Sequence, residues 1–232
     1  MFKETIDKIK NEVYKIVNAC GRNSEDIKIL AVSKTHPIDI VKLSLEQGIE
    51  FIAENKVQEA ESKIPYLKGL YREFHFIGHL QSNKINKLLS LKPDLIHSVD
   101  KLSTLYKLEN ALTKLNDCQE VLIEVNTSGE DSKNGITPNE LSDFLREADK
   151  LKFIKIKGLM TIGTLTEDEV EIRRCFRQLK ELFEFHKRIN YINVEMKYLS
   201  MGMSGDYKIA IEEGSHIIRL GSIIYGNRNY SK

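Results

Sequence analysis

The feature that most constrains the fold is an alternation of short apolar runs with helical patterns along the 232 residues. Strands alternating with helices at short, regular spacing form parallel sheets. About eight such units predict a single-domain α/β fold over residues 1–232, a (β/α)₈ TIM barrel. The alternative is an open doubly wound sheet, which usually has fewer strands. The predicted strands are residues 28–34, 50–53, 73–77, 95–99, 120–126, 155–162, 197–201 and 216–220.

Helical patterns separate these strands and add one more helix before the first of them. Residues 6–17 carry an apolar stripe at helical spacing, which predicts the extra N-terminal helix. Pro37 suits the first turn of the next helix, and Asp100 is expected to cap a later one. Residues 137–140, TPNE, combine a capping box with a proline at the first helical position, so a helix should begin there.

Composition, cysteine spacing and the length of apolar runs argue against several classes of function. With Lys+Arg at 35 and Asp+Glu at 34, nucleic acid is disfavoured as the main partner. Cys20, Cys118 and Cys175 are far apart, which is typical of reduced thiols rather than of a disulfide framework or a metal site. No apolar run approaches the ~20 residues that a membrane helix needs. We therefore expect a soluble, cytoplasmic protein with no membrane partner and no metal.

Small residues are concentrated in residues 198–226, around the last two predicted strands. Glycine lets a backbone approach a ligand closely, and serine hydroxyls and exposed N–H groups hold anions. In TIM barrels a phosphate often binds after strands seven and eight. The stretch therefore predicts a phosphate site, the alternative being two ordinary turns. Its small residues are Gly202, Gly205, Gly214, Gly221 and Gly226, with Ser200, Ser204, Ser215 and Ser222 between them.

Polar side chains at the ends of the predicted strands are the candidates for chemistry, because active residues of such barrels lie there. Lys34 ends the first predicted strand. It is either a lysine snorkelling from the rim or an amine with a lowered pKa that forms a Schiff base with an aldehyde. Further residues expected on this rim are Asn55, His79, Asn126, Met160, Ser200 and Arg219.

Arg219 lies inside a predicted strand between apolar neighbours. A buried guanidinium needs a partner, since its desolvation otherwise costs several kcal/mol. It either forms a structural ion pair or faces a ring nitrogen or an anion of a ligand. His75, His97 and His186 have no spacing typical of a metal site, so we interpret them as structural.

Eight motifs together resemble the YggS-type pyridoxal-phosphate homeostasis proteins, and they cover nearly the whole chain in the right order. The family has a (β/α)₈ barrel similar to the N-terminal domain of alanine racemase, and its ligand is pyridoxal 5′-phosphate (PLP). The motifs are AVSKTHP (31–37), AENKVQE (53–59), FHFIGHLQSNK (74–84), IHSVD (96–100), VNTSGEDSKNGI (125–136), GLMTIG (158–163), LSMGMSGDYKIAIEEGS (199–215) and RLGSIIYGNR (219–228).

The resemblance implies a role for individual residues. Lys34 would form the internal aldimine with PLP, Arg219 would face the pyridine nitrogen, and Asn55 would lie near the ring. Two departures from the family pattern are Ala53 in place of glycine and His216 in place of a threonine that commonly helps to bind the phosphate. The residues expected on the phosphate-binding segments are Ser200, Met201, Ser204, Gly214, Ser215 and Gly221.

An arginine at the ring nitrogen favours a carrier over an enzyme. Arginine only donates hydrogen bonds, so the nitrogen stays largely unprotonated and carbanion stabilisation is weaker. Alanine racemase, by the same resemblance, relies on a tyrosine base from a second domain, and only four residues follow Arg228 here. The resemblance thus implies a monomer that buffers PLP and passes it to apo-enzymes. The alternatives are a weak racemase or other PLP enzyme, with His79 as a rim base, and a barrel that binds a sugar phosphate.

Overall fold

Eight parallel strands close into a barrel in the computed structural model, which describes residues 2–226. The strands follow one another around the barrel in chain order, and the eighth pairs with the first. This confirms the predicted TIM barrel and excludes the open sheet. The strands are β1 (Lys28–Val32), β2 (Phe51–Glu54), β3 (Glu73–Phe76), β4 (Leu95–Val99), β5 (Gln119–Glu124), β6 (Ile154–Met160), β7 (Val194–Met203) and β8 (Ile217–Leu220).

Helices connect the strands on the outside of the barrel, and their apolar faces form most of the core. Three short 3₁₀ turns lie at Ser24–Asp26, Ser82–Lys84 and Pro138–Glu140. Within residues 2–226, no helix has the length and apolar character that crossing a membrane requires. The helices are α1 (Phe2–Ala19), α2 (Ile38–Glu46), α3 (Val57–Leu67), α4 (Ile85–Ser90), α5 (Leu102–Leu115), α6 (Leu141–Ala148), α7 (Glu169–Lys187), α8 (Tyr207–Glu212) and α9 (Ser222–Tyr225).

Several predicted boundaries differ from the observed ones. β1 ends at Val32, so Lys34 lies in the turn beyond the strand rather than at its tip. The prediction that Asp100 caps α5 is wrong, because Lys101 occupies the N-cap position and makes no side-chain capping bond. The capping box at Thr137 and Glu140 is confirmed, although the first turn is 3₁₀ before α6 continues.

The predicted N-terminal helix is present as α1, and it packs against α8 and α9. Its buried stripe is Ile6, Ile9, Val13 and Val17. Glu12 on its polar side accepts hydrogen bonds from the hydroxyl of Tyr207 and, at 2.6 Å, from Nζ of Lys208. α1 therefore fixes the position of α8, which follows the loop at the end of β7.

The barrel interior combines an apolar layer with buried polar side chains. The apolar layer closes the middle of the barrel, as is usual for this fold. Polar groups lie among it at both ends, including a lysine and a glutamate near the start of β1 and β3 and an arginine on β8. The buried apolar residues of this layer are Leu30, Val32, Ala53, Leu95, Leu122, Met160 and Ile217.

Candidate functional site

A cavity of about 250 Å³ opens at the C-terminal ends of β1, β7 and β8. Four of the predicted site residues line it together: Lys34, Ser204, Arg219 and Gly221. Lys34 comes from the turn after β1, Ser204 from the loop after β7, Arg219 from β8 and Gly221 from the turn that follows β8. One amine, one guanidinium and a Gly/Ser turn thus meet where barrels of this class carry their active sites.

The turn that carries Lys34 is held by a buried network on β2 and α3. The Ser33 hydroxyl donates to Oε1 of Glu54 at 2.6 Å, and Nζ of Lys63 donates to the same oxygen at 2.8 Å and to the Ser33 carbonyl at 2.9 Å. On the other side, the Thr35 N–H donates to Oε2 of Glu59 at 2.7 Å. The residues before and after Lys34 are therefore fixed, and its half-buried side chain starts from a defined position.

Glu54 is the buried centre of this network. Burial raises the pKa of its carboxyl, while hydrogen bonds from Lys63 and Ser33 act in the opposite direction. Its second oxygen, Oε2, is buried and has no hydrogen-bond partner. A carboxylate in such a place is stable only while its cationic partner remains.

Asn55 follows Glu54 at the end of β2, which pairs with β1 up to Val32 and Ala53, and it is not among the residues that line the cavity. Its Oδ1 atom is also buried without a partner. The end of β3 approaches the backbone here so closely that a Cβ on Gly78 would lie 1.8 Å from the Asn55 carbonyl oxygen. Only glycine fits at position 78, and the unpaired amide oxygen lies at the rim of the barrel.

Arg219 is 4 % exposed and enters the cavity from within the barrel wall. Its NH1 donates to the hydroxyl of Ser200 at 2.8 Å, and its NH2 donates to the Thr161 carbonyl at 2.9 Å. Burial lowers its pKa to about 10, with the nearby Asp206 and Glu124 opposing that shift. The guanidinium is therefore still charged at neutral pH.

Glu124, at the end of β5, is one of the two carboxyl groups whose charge acts on this arginine. Burial, reinforced by the charge of Asp100, raises the pKa of its carboxyl to about 7, although Arg219 acts against the shift. Burial also raises the pKa of Asp206, whose Oδ1 accepts the Met203 N–H at 2.5 Å. The charge of Arg219 is thus only partly balanced within the protein.

Ser204 joins the two loops that form the Gly/Ser side of the cavity. Its hydroxyl oxygen accepts the N–H groups of Gly221 at 3.2 Å and of Ile223 at 3.4 Å. Ser222, between these two residues, also lines the cavity and was missed as a site residue. Its position directly after Gly221 in the Gly/Ser stretch was the signal that could have identified it. Gly205 and Gly226 of the predicted Gly/Ser stretch also line the cavity, and the lining residues that sequence reasoning missed are Val32, His36, Ile77 and Met203.

The structure does not bring every predicted phosphate residue to this cavity. Gly214 and Ser215 precede β8, so they lie at the N-terminal end of the barrel, opposite the cavity. The Ser215 hydroxyl donates to the Met201 carbonyl at 2.8 Å and supports the β7–β8 connection. His216 lies at the same end, where its Nδ1 accepts the Leu199 N–H at 3.1 Å. The replacement of threonine by His216 therefore does not alter the cavity wall.

The remaining predicted residues have other surroundings. Ser200 is fully buried beneath Arg219, and Met201 faces the helices as part of the outer core. Asn126 uses its side chain to hold its own loop, donating to the Glu130 carbonyl at 2.9 Å. His79 is exposed. Residues 227–228 of the last sequence motif lie outside the described residues, and among residues 2–226 no group of three or more metal-ligating side chains is found.

Comparison with known proteins identifies the family. The family model described as "Alanine racemase, N-terminal domain" matches residues 5–229. The chain belongs to this family. Members that are similar along their whole length include the pyridoxal phosphate homeostasis protein of Aquifex aeolicus, 38 % identical over 227 residues that cover 98 % of each chain. That of Schizosaccharomyces pombe is 34 % identical and covers 98 % of this chain and 93 % of its own.

Solved structures of this family agree with the fold. PipY of Synechococcus elongatus, solved with PLP bound, is 28 % identical and superposes with a TM-score of 0.83, covering 97 % of this chain and 100 % of PipY. An alanine racemase of Clostridium difficile is 17 % identical with a TM-score of 0.71 and shares only the fold, and the match covers 56 % of it. The resemblance to pyridoxal-phosphate homeostasis proteins and the alanine-racemase-like barrel, both predicted from the motifs, are thereby confirmed.

Proposed function

We propose that this protein binds pyridoxal 5′-phosphate in the cavity at the C-terminal end of the barrel and serves PLP homeostasis. The observation that carries the proposal is the meeting of Lys34, Arg219 and the turn around Ser204 and Gly221 in one small cavity. The names of full-length relatives and the PLP-bound structure of PipY support it. PLP has an aldehyde, a pyridine nitrogen and a phosphate, and each of these groups has a counterpart in the cavity.

The residues present fit such a ligand. Ser204 and Ser222 line the cavity and offer hydroxyl groups of the kind that hold phosphate oxygens, and Gly221 beside them leaves room for the ligand. The buried Oδ1 of Asn55, which has no hydrogen-bond partner among residues 2–226, is suited to a polar group of the ligand. Arg219 adds a positive charge to a cavity that receives an anion.

Lys34 is the residue proposed to hold the ligand covalently. When bound, PLP supplies an electrophilic aldehyde that reacts reversibly with amines. Lys34 would hold the ligand through its Nζ atom, an amine of the kind with which such an aldehyde condenses, with release of one water. Because the Ser33 and Thr35 backbone is fixed by Glu54, Lys63 and Glu59, the amine approaches from a defined side.

Arg219 is proposed to donate a hydrogen bond to the pyridine nitrogen. Its pKa of about 10 keeps it protonated at neutral pH, so it donates and does not accept. A ring nitrogen that accepts from an arginine remains a weaker electron sink than a pyridinium. This favours holding and releasing PLP over racemisation, and we extend the proposal to delivery to apo-enzymes by a cytoplasmic monomer.

The test is covalent trapping of PLP in the purified protein. We expect a visible absorbance band that reduction with borohydride abolishes, leaving a phosphopyridoxyl label on the peptide with Lys34. In Lys34→Ala the band and the label should be lost, whereas Lys56→Ala, which removes an exposed lysine near the same rim, should retain both. A band that survives in Lys34→Ala, or a label found only on other lysines, would refute the role of Lys34.

A further inference from the structure

A continuous row of hydrogen-bonded polar side chains, called the file below, runs through the barrel from the cavity to its opposite end. It begins where NH1 of Arg219 donates to the Ser200 hydroxyl oxygen at 2.8 Å. Ser200 is 2.9 Å from Nδ1 of His97, and Nε2 of His97 is 2.8 Å from Nδ1 of His75. Ser200, His97 and His75 are all fully buried.

The file ends at an ion pair near the N-terminal ends of β1 and β3. Nε2 of His75 is 2.8 Å from Oε2 of Glu73, and Nζ of Lys28 lies 2.6 Å from the same oxygen and 2.7 Å from Oε1. Burial opposes ionisation of Glu73, but the hydrogen bonds from His75 and Lys28 outweigh it and lower its pKa to about 2. Glu73 is therefore an acceptor at any physiological pH.

Chemistry at the two ends fixes the direction of every hydrogen bond between them. Arg219 only donates, so the Ser200 oxygen accepts from it, which leaves the Ser200 proton available for Nδ1 of a neutral His97. A neutral His97 then carries its proton on Nε2 and donates to Nδ1 of His75. His75 in turn carries its proton on Nε2 and donates to Glu73, which agrees with the carboxylate at that end.

Both histidines are neutral in this arrangement. Burial lowers the pKa of His97 far below its ordinary value, with the charges of Arg219 and Lys28 acting in the same direction. Burial also lowers the pKa of His75, against the attraction of Glu73 and Asp94 and with the repulsion of Lys28. With Nε2 of His97 donating to Nδ1 of His75, a protonated His75 would moreover place two N–H groups against each other at that contact.

A proton path along the same file is the alternative to a structural role. Proton transfer would require the first member to release a proton, and Arg219 does not do so near neutral pH because its pKa is about 10. With both histidines neutral, all bonds in the file can be satisfied in one direction only. The arrangement is therefore suited to holding the guanidinium still rather than to moving charge.

We propose that Ser200, His97, His75 and Glu73 form one positioning unit that holds Arg219 in the orientation required at the cofactor, with Lys28 fixing its far end. The identity of the ligand group that Arg219 faces rests on the proposed function. The histidine tautomers and the directions of the hydrogen bonds in the file are properties of the protein alone. None of these four residues lines the cavity, so each acts on the ligand through Arg219. The pyridine nitrogen is thus controlled from the opposite end of the barrel.

The first experiment measures the histidine tautomers without any ligand. Long-range proton–nitrogen correlation spectra of the ¹⁵N-labelled protein, assigned with His75→Gln and His97→Gln, should show both rings neutral and protonated on Nε2 at pH 7. A ring protonated on Nδ1, or a doubly protonated ring, would overturn the inference. This result is independent of whether the protein binds PLP.

The second experiment follows the ring nitrogen in the protein loaded with PLP that is ¹⁵N-labelled at the pyridine. His97→Leu leaves Ser200 without its acceptor, and we expect a shifted ring-nitrogen resonance and roughly tenfold weaker PLP binding, with the reductive label still on Lys34. His97→Asn, whose amide can accept from Ser200 and donate to His75, should restore the wild-type resonance. An unchanged resonance in His97→Leu would refute the positioning role.

Lys28→Gln at the far end provides a variant that changes no fully buried residue. It should shift the same resonance in the same direction as His97→Leu, by a smaller amount, and a wild-type resonance would refute the part assigned to Lys28. Failure of the wild-type protein to bind PLP would instead refute the proposed function. In that case the tautomer measurement still decides whether the file is ordered as described.

Discussion

Replacing His216 by asparagine should remove about 2 kcal/mol of the loss of stability that we expect between pH 8 and pH 5. Burial, together with the charges of Arg22 and Lys187, lowers the pKa of His216 from its ordinary value of 6.5 to about 4, and Asp26 only partly opposes this. The unfolded chain takes up the proton near pH 6.5, whereas the folded protein resists it until about pH 4. The contribution of His216 is therefore complete above pH 6.5 and is lost as the pH falls.

The magnitude follows from that difference in pKa. The whole shift corresponds to about 3 kcal/mol, and the part lost between pH 8 and pH 5 is about 2 kcal/mol. Asparagine does not titrate, and its amide oxygen can accept the Leu199 N–H that Nδ1 of His216 accepts at 3.1 Å. The other histidines are present in both proteins, so their contributions cancel in the comparison.

Urea denaturation at pH 8 and pH 5 provides the assay. The free energy of unfolding of the wild type should fall between these pH values by about 2 kcal/mol more than that of His216→Asn. His216→Asn is expected to be the less stable protein at pH 8, since it loses the contact of the imidazole with Phe183. The comparison is therefore between the changes in the free energy of unfolding from pH 8 to pH 5, and not between the free energies themselves. Equal pH dependence in the two proteins would refute the assignment of a neutral, buried imidazole to His216.

Two further substitutions test the rim around Lys34. Gly78→Ala places a methyl group 1.8 Å from the Asn55 carbonyl oxygen, so we expect destabilisation of about 2–4 kcal/mol in urea and weaker PLP binding; wild-type stability would show that β2 and β3 are further apart. Lys63→Met removes the partner of the buried Glu54 and should cost about 3–5 kcal/mol, whereas Lys63→Met combined with Glu54→Leu should recover much of that loss. Equal stability of the single and double variants would contradict an uncompensated charge at Glu54.

The barrel was predictable because the alternation of strands and helices leaves few architectures open. Lys34, Arg219, Ser204 and Gly221 were also within reach, since residues after parallel strands meet at one end of the barrel. The C-terminal boundary of β1 could not be predicted, because a serine and a lysine such as Ser33 and Lys34 can either extend an apolar strand or follow it. Only the hydrogen bonds of Ser33 to β2 and α3 decide between the two.

Two of the predicted phosphate residues, Gly214 and Ser215, do not reach the cavity. Gly214 and Ser215 lie in the same Gly/Ser-rich stretch as Ser204 and Gly221, but they come before a strand, and those two come after one. Composition does not distinguish the two ends of a strand, whereas strand direction does, because turns that precede parallel strands lie opposite the turns that follow them.

The histidine file was beyond sequence reasoning because it depends on register. His75 and His97 were interpreted as structural because their spacing is not typical of metal ligands. Ser200 lies 103 residues beyond His97, and no sequence pattern relates it to the two histidines. The contact arises from the relative shift of strands across the closed barrel. Such shifts are set by the packing of the whole interior.

The contact between α1 and α8 has a consequence for biosynthesis. Glu12 and Tyr207 are 195 residues apart, so the first helix leaves the ribosome long before the partners that cover its apolar stripe. Contacts of such long range also form late and slowly when a chain folds. The part of α1 that packs against α8 and α9 therefore stays uncovered in the nascent chain until residues 207–225 have been made, and a chaperone that binds amphipathic helices would find its target there.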